Sequence, residues 1–311
     1  MRVVFLGTPE FAVPSLEALV SAGHAVTAVF TQPDRPKGRG NQLTESPIKI
    51  AAKRLGLPVY QPQRIRWPTE IDRLRELSAD LMVVVGYGQI IPQSIIDLAP
   101  HGILNVHASS LPKYRGAAPI QWAIANGETE TGVTIMQIDA GLDTGDMLLQ
   151  KRVKIGPEET APGLSARLAP LGAALLLDAI KNIEAGTSQR EKQNNAEATY
   201  APILSKENGR IDWHRSAAEI YNRLRGFTPW PGAYTTFRGQ TLLIHRAKPA
   251  ENLTLPPGSL HVQNQRLWAG CGQNTALEFI EVQPAAKKRM SIEAFLNGYK
   301  VRTGEKLGDS N

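Results

Sequence analysis

Residues 104–118 read LNVHASSLPKYRGAA, and this stretch sets the class of fold. Its first four residues belong to the run GILNVH, whose apolar character predicts a strand. A short polar run follows, Pro112 ends it, and the turn at Arg115-Gly116 leads into the helical pattern APIQWAIANG. Strand, loop and helix in that order make the repeating unit of an α/β domain. Asn105 and His107 are two apart, so on an extended strand both side chains point to one face. An amide beside an imidazole at a strand's carboxyl end sits where open α/β sheets bind ligands. About thirty residues on, Asp139–Asp146 (DAGLDTGD) sets three carboxylates in a loop of small residues behind a second strand, TGVTIMQI.

These residue types leave two readings open. A histidine and an amide on one loop, with a carboxylate on the next, can form a proton-transfer site. The same histidine can be structural, the asparagine can satisfy turn backbone, and the aspartates can cap their own loop. A calcium loop is excluded by carboxylates that do not alternate and by the lack of a closing glutamate. Ser109 and Ser110 are not in a G-x-S-x-G elbow, which argues against a serine hydrolase.

Outward from this stretch, RVVFLG, AVTAVFTQ, PVYQP and LMVVVGYG read as strands separated by helical patterns. The first helix is expected from Thr8-Pro9, with Phe11, Leu16, Leu19 and Val20 on its apolar face. Ser46-Pro47 caps SPIKIAAKRLG, and Thr69 with Asp72 suggests a capping box for TEIDRLRELSAD. Beyond the acidic loop come a strand, GDMLLQKRVKI, and a long helix, GLSARLAPLGAALLLDAIKNIEAG. The alternation predicts a doubly wound α/β domain with a mostly parallel sheet over residues 1–188. A dinucleotide is disfavoured because only Gly7 stands where G-x-G-x-x-G would be required. Asp34, near the place of a ribose-binding acid, follows Pro33 in a loop and is discounted. The insertion PDRPKGRGNQLTE is too polar and turn-rich to pack, and its Arg35, Lys37 and Arg39 make it a cationic arm.

From Thr187 the pattern breaks into polar sequence, and residues 189–205 read as a linker. Residues 206–311 hold a helix with a capping box, Ser216 and Glu219, closed by TPWPG. Short strand-like runs follow (AYTTF, TLLIHRA, RLWAGC, ALEFIEVQ), at the spacing of a small β-barrel. The tail carries a basic cluster, Lys287, Lys288 and Arg289.

The chain has 311 residues, 42% hydrophobic and 21% charged, as in globular proteins. A single cysteine, Cys271, excludes a disulfide framework and cysteine-rich zinc sites. No apolar run approaches 18 residues, so the expectation is a cytoplasmic protein without a membrane partner. Residues 1–204 carry 20 Lys/Arg and 20 Asp/Glu; residues 205–311 carry 15 and 9, so the net +6 lies wholly there. A basic second half suggests a polyanionic partner.

NVHASSLPKYRGAAPIQWAI followed by ETGVTIMQIDAGLDTGDML resembles the formyltransferases that use 10-formyltetrahydrofolate, through N-x-H-x-S-x-L-P and the later L-D-T-G. The likeness runs over nearly the whole chain. One departure is Ser110, where many relatives carry leucine; it concerns packing rather than chemistry. The resemblance implies a Rossmann-like catalytic domain and a C-terminal barrel of the oligonucleotide-binding (OB) type. It implies formyl transfer from 10-formyltetrahydrofolate to the α-amino group of initiator methionyl-tRNA, by a monomer that needs no metal. Asn105, His107 and Asp143 would be catalytic: two oxyanion donors, with a carboxylate that holds the imidazole and relays protons. Ser109, Ser110, Leu111, Pro112, Gln89, Ile90 and Ile91 would line the folate site. Arg35, Lys37 and Arg39, in a segment similar to the family's QPDRPxGRG, would contact tRNA together with Lys287, Lys288 and Arg289. Two alternatives are a formyltransferase acting on a small amine, such as a purine precursor or nucleotide-linked amino sugar, and a non-catalytic RNA-binding protein.

Overall fold

In a computed structural model, which describes residues 1–37, 42–251 and 253–308, the chain divides into two compact units. The first comprises Met1–Pro119, Glu130–Lys154 and Leu164–Pro202. Its strands are β1 (Arg2–Gly7), β2 (Ala25–Phe30), β3 (Arg35–Lys37), β4 (Gln42–Thr44), β5 (Val59–Tyr60), β6 (Leu81–Val85), β7 (Ile103–His107), β8 (Glu130–Gln137) and β9 (Met147–Lys154). Seven of them form one sheet in the order β5-β2-β1-β6-β7-β8-β9. The pairs from β5 to β7 are parallel, and β7–β8 and β8–β9 are antiparallel. The mostly parallel, doubly wound sheet expected from the sequence is therefore present. Strand order reverses beside β1, and at such a reversal the carboxyl-end loops part to leave a crevice.

Helices α1 (Val13–Ser21), α2 (Pro47–Arg54), α3 (Pro68–Glu76), α4 (Gln93–Ile96) and α5 (Pro119–Ala125) lie between these strands along the chain, and α6 (Ala161–Glu184) follows β9. Along α6, Leu164, Leu168, Leu176 and Ile180 are fully buried. A Cβ on Gly172 would come within 2.8 Å of Val106 and 3.3 Å of Val133, so glycine lets this helix lie close against β7 and β8. Among the described helices α6 is the one long and apolar enough to cross a membrane by length and composition. Here its buried side chains face the sheet, as in the core helix of a globular domain.

Three local expectations change. The chain after β1 makes a 3-10 turn, Glu10–Ala12, before α1 begins at Val13. Leu16 and Leu19 are buried, whereas Phe11 and Val20 are half-buried. Helix α3 starts at Pro68 with Trp67 as N-cap and no side-chain cap, while Asp72 pairs with Arg75 at 2.5 Å. Proline at the first position presets φ and brings no amide of its own to satisfy, so the helix starts one residue before the expected cap. The described residues of the cationic arm pair as the antiparallel strands β3 and β4. Arg39 lies outside the described residues.

The second unit gathers residues 120–129 and 155–163 with 203–311. It holds α7 (Ala217–Gly226), β10 (Ala233–Phe237), β11 (Gln240–Ala250), β12 (Leu260–Gln263), β13 (Arg266–Cys271), β14 (Thr275–Pro284), β15 (Met290–Ser291) and α8 (Ile292–Tyr299). The antiparallel order is β10-β11-β14-β13-β12, with β15 on β14. The sequence reading missed β12. It pairs with β13 across Asn264-Gln265, both at positive φ (49° and 58°), a hairpin turn without its usual glycine. Residues 304–308 then join the two outer strands. Leu307 bridges Phe237 of β10, Lys306 bridges Ser259, and the Leu260 amide donates to the Glu305 carbonyl at 2.7 Å. The sheet thereby closes into a small barrel, as expected, around Leu242, Leu267, Leu277, Phe279 and Phe295.

Candidate active site

Strand β7 is buried throughout, lying where the sheet changes from parallel (β6) to antiparallel (β8) pairing. Val106 faces α6, so strand alternation turns Asn105 and His107 to the other face. Both are largely covered, with 9% and 5% exposure.

The loop after β8 brings Asp143 to them, with its backbone in the left-handed region at φ 51°, which aspartate tolerates better than most residues. One carboxylate oxygen, Oδ1, lies 3.4 Å from Asn105 Nδ2. The other, Oδ2, accepts from the Gly116 amide at 2.8 Å and lies 3.7 Å from His107 Nδ1. His107 Nε2 is 2.9 Å from the Tyr114 carbonyl. A carbonyl only accepts, so Nε2 carries a proton and Nδ1 is the ring nitrogen left to exchange one. The three residues singled out as catalytic thus meet around one carboxylate. Asp139, read as a loop cap, accepts from the Gly141 amide at 3.0 Å and the Thr144 hydroxyl at 2.7 Å. Asp34 is committed to Lys49 at 2.5 Å and Gln61 at 2.7 Å.

The residues assigned to the folate pocket fall into different environments. Ser109 is fully buried and donates to the Lys113 carbonyl at 2.6 Å, so its hydroxyl belongs to the loop's own framework. Leu111 is buried, and its amide donates to the Thr134 hydroxyl at 3.2 Å. Pro112, half-buried, follows it through a cis peptide. The Ser110 hydroxyl is buried with no hydrogen-bond partner among the described residues, beside Gly132. Gln89 spans the Ile65 amide (2.7 Å) and the Pro62 carbonyl (3.1 Å), which makes it a brace for that loop. Ile91 joins the core, whereas Ile90 stands 90% exposed.

Among the cationic candidates, Arg35 lies 3.4 Å from the Gln32 side chain, and Lys37 ends β3. In the second unit Lys287 and Lys288 are exposed beside the turn at Ala286. Arg289 pairs with Glu281 at 3.5 Å and contacts His245 at 2.9 Å. Among the described residues, no group of three or more His, Cys, Asp or Glu side chains could hold a metal ion.

The sequence reading missed residues that contact this site from behind. Arg115 is 2% exposed and donates to Gln193 (3.0 and 2.8 Å) and to Asn195 (2.8 Å). Gln193 and Asn195 come from the stretch read as a linker, whose polar composition carries no signal for such a contact. That stretch also pairs with the first unit: Met147 and Glu191 exchange two backbone hydrogen bonds at 2.8 Å, and Arg115 pairs with Thr199 and Ala201.

Residues 1–180 match the family model described as formyl transferase, and residues 203–300 match that of the formyl transferase C-terminal domain. The chain belongs to the formyl transferase family. This formyl transferase is 58% identical to the methionyl-tRNA formyltransferase of Koribacter versatilis over 99% of both chains. It is 57% identical to that of Solibacter usitatus over 100% of both. Among solved structures, it shares its fold with the N-formyltransferase of Helicobacter canadensis in complex with folinic acid and dTDP-3-aminofucose. That likeness has a TM-score of 0.69 at 20% identity, covering 91% of this chain and 99% of the other.

Proposed function

We propose that this formyl transferase moves the formyl group of 10-formyltetrahydrofolate to the α-amino group of methionine on initiator tRNA. The observation that carries the reading is the meeting of Asn105, His107 and Asp143 at the end of β7. End-to-end identity with enzymes of that name supports the acceptor; the amino-sugar enzyme, at 20% identity, shares the fold alone.

In the reaction the amine nitrogen attacks the formyl carbon, the bond from that carbon to folate N10 breaks, and one proton passes from the amine to N10. Negative charge builds on the formyl oxygen, where the Asn105 amide and a protonated His107 Nδ1 act as donors. With Nε2 tied to Tyr114, the ring presents its charge through Nδ1 alone. Asp143 balances that charge and accepts the ammonium proton, directly or through water, before N10 takes it. An amine is already a good nucleophile, so the chemistry needs neither a covalent enzyme intermediate nor a metal. The exposed Ile90, with Ile91 and residues 109–112, would border the folate.

Arg35, Lys37, Arg39, Lys287, Lys288 and Arg289 would meet tRNA phosphates. On this reading residues 1–188 are catalytic, 189–205 connect, 206–311 bind tRNA, and the protein works as a cytoplasmic monomer. The test is a formylation assay with 10-formyltetrahydrofolate and charged initiator tRNA, free methionine or an amino sugar as acceptor. Only the charged tRNA should react efficiently, since binding energy from the RNA orients the amine. Asn105→Ala and His107→Ala should each lose on the order of 10²–10³ in turnover with folate binding kept. Comparable rates on free methionine, or full turnover by Asp143→Asn, would overturn the reading.

A further inference from the structure

We infer that Gln193 is a positioning residue for Asp143, and that residues 191–201 are a working part of the active site. The inference rests on the proposed role of Asp143 and adds what holds that carboxylate in place. Asp143 sits at φ 51°, a conformation that costs a non-glycine residue energy and needs contacts to hold it. Gln193 Nε2 donates to the carbonyls of Asp143 and Gly145, both at 2.8 Å, and so grips the turn on either side of Thr144. Its other end is fixed as well. Gln193 Oε1 accepts from Arg115 Nε and Nη2, and Arg115 Nη2 also reaches Asn195. With both ends of the amide engaged, its O/N assignment is set: a carbonyl and a guanidinium cannot exchange places around it.

The same segment ties the two catalytic loops to each other. At one end Glu191 pairs with Met147, just beyond the acidic loop. At the other, the Arg115 amide donates to the Thr199 carbonyl at 2.9 Å, and the Ala201 amide donates to the Arg115 carbonyl at 2.7 Å. The Tyr114 amide donates to the Thr199 hydroxyl at 2.9 Å. Tyr114 supplies the carbonyl that holds His107, and Gly116 supplies the amide that holds Asp143. Gly116 has φ 118°, and a Cβ there would lie 2.7 Å from the Ala201 carbonyl oxygen. The spacing between imidazole and carboxylate is therefore set by a strap fifty residues downstream of Asp143. Gln193 is the side chain that reaches from it into the loop itself.

The test compares Gln193→Glu, Gln193→Ala, Asp143→Asn and the double variant Gln193→Glu/Asp143→Asn in the full chain. Steady-state kinetics use 10-formyltetrahydrofolate and charged initiator tRNA, and thermal melts check folding. Glutamate keeps the size and the Arg115 contact but faces the two loop carbonyls with an acceptor. We expect kcat to fall roughly 10- to 100-fold in both Gln193 variants, the scale of a small misplacement of a reacting group. KM for both substrates should change little, because Gln193 is not assigned to either. The double variant should be no slower than Asp143→Asn alone, since both changes remove one function. Wild-type turnover in both Gln193 variants with a slow Asp143→Asn would overturn this inference and leave the role of Asp143 standing. So would multiplicative losses in the double variant, or failure of both Gln193 variants to fold. A fully active Asp143→Asn would instead remove the reading beneath it.

Discussion

Glu278 shows how one side chain can make a share of stability depend on pH. It is 8% exposed on β14 and accepts both arms of Arg266, at 2.7 and 2.5 Å, with Lys248 at 3.7 Å. The forked hydrogen bonds from Arg266 hold its carboxyl below the ordinary carboxylate range, against the opposing effect of burial. The folded state therefore binds this proton less readily than the unfolded state does. Its contribution is present above the ordinary glutamate value of about 4.3 and is lost as pH falls through the lower folded value. Glu278→Gln should lower stability at pH 7 and flatten the acid limb of a plot of unfolding free energy against pH. An acid limb identical to the parent's, measured by denaturant unfolding from pH 3 to 7, would show that the pair contributes nothing. Across an open concavity of about 570 Å³ that also includes His261 and Trp268, this pair keeps Arg266 stacked over the indole at 4.9 Å.

Helix α7 is the element whose beginning is written most locally. The Ser216 hydroxyl accepts from the Glu219 amide at 3.3 Å, and the Glu219 carboxylate accepts from the Ser216 amide at 2.9 Å. Ser216→Ala should cost about 1 kcal/mol, the usual worth of such a cap. Glu219→Gln should cost less, since an amide oxygen can still accept; equal losses in chemical denaturation would count against the cap as the cause. This element was legible because its signal spans four residues. Residues 104–118 were legible for a related reason: strand, turn and helix each declare themselves within one segment, and the two-residue spacing of Asn105 and His107 fixes a shared face. The alternation of strands and helices likewise gave the sheet. Gln193 was not legible, since its amide acts on a loop fifty residues earlier and its neighbours have the composition of a spacer. Helix α3 misled because Pro68 opens it without the cap that Thr69 and Asp72 suggested. For Ser109 and Gln89, membership of a motif does not say whether a side chain faces a ligand or the loop that carries it; their bonds to loop backbone are what the structure adds.

At the scale of the whole chain, charge is the feature the sequence displays most plainly and local contacts modify most. Some of the basic side chains in residues 205–311 are paired internally: Arg238 with Glu305, Arg266 with Glu278, and Arg289 with Glu281. The exposed pair Lys287 and Lys288 is the better candidate for contact with RNA phosphate. Replacing both with alanine should weaken use of tRNA and reduce the log–log salt slope of its kcat/KM by about one unit per lost phosphate contact. The KM for folate should not move, and an unchanged salt slope would return these lysines to ordinary solvent-facing groups. The barrel has a consequence in time. A ribosome delivers the chain from its amino end, so β10 and β12 emerge well before residues 304–308, which later lie between them. For that interval the nascent unit carries two unpaired margins, each open to the backbone of a neighbouring chain. Completion of this half must therefore wait for residues 304–308 to be translated, and release of the polypeptide before them would leave a protein that folds most of its core yet remains adhesive along both margins.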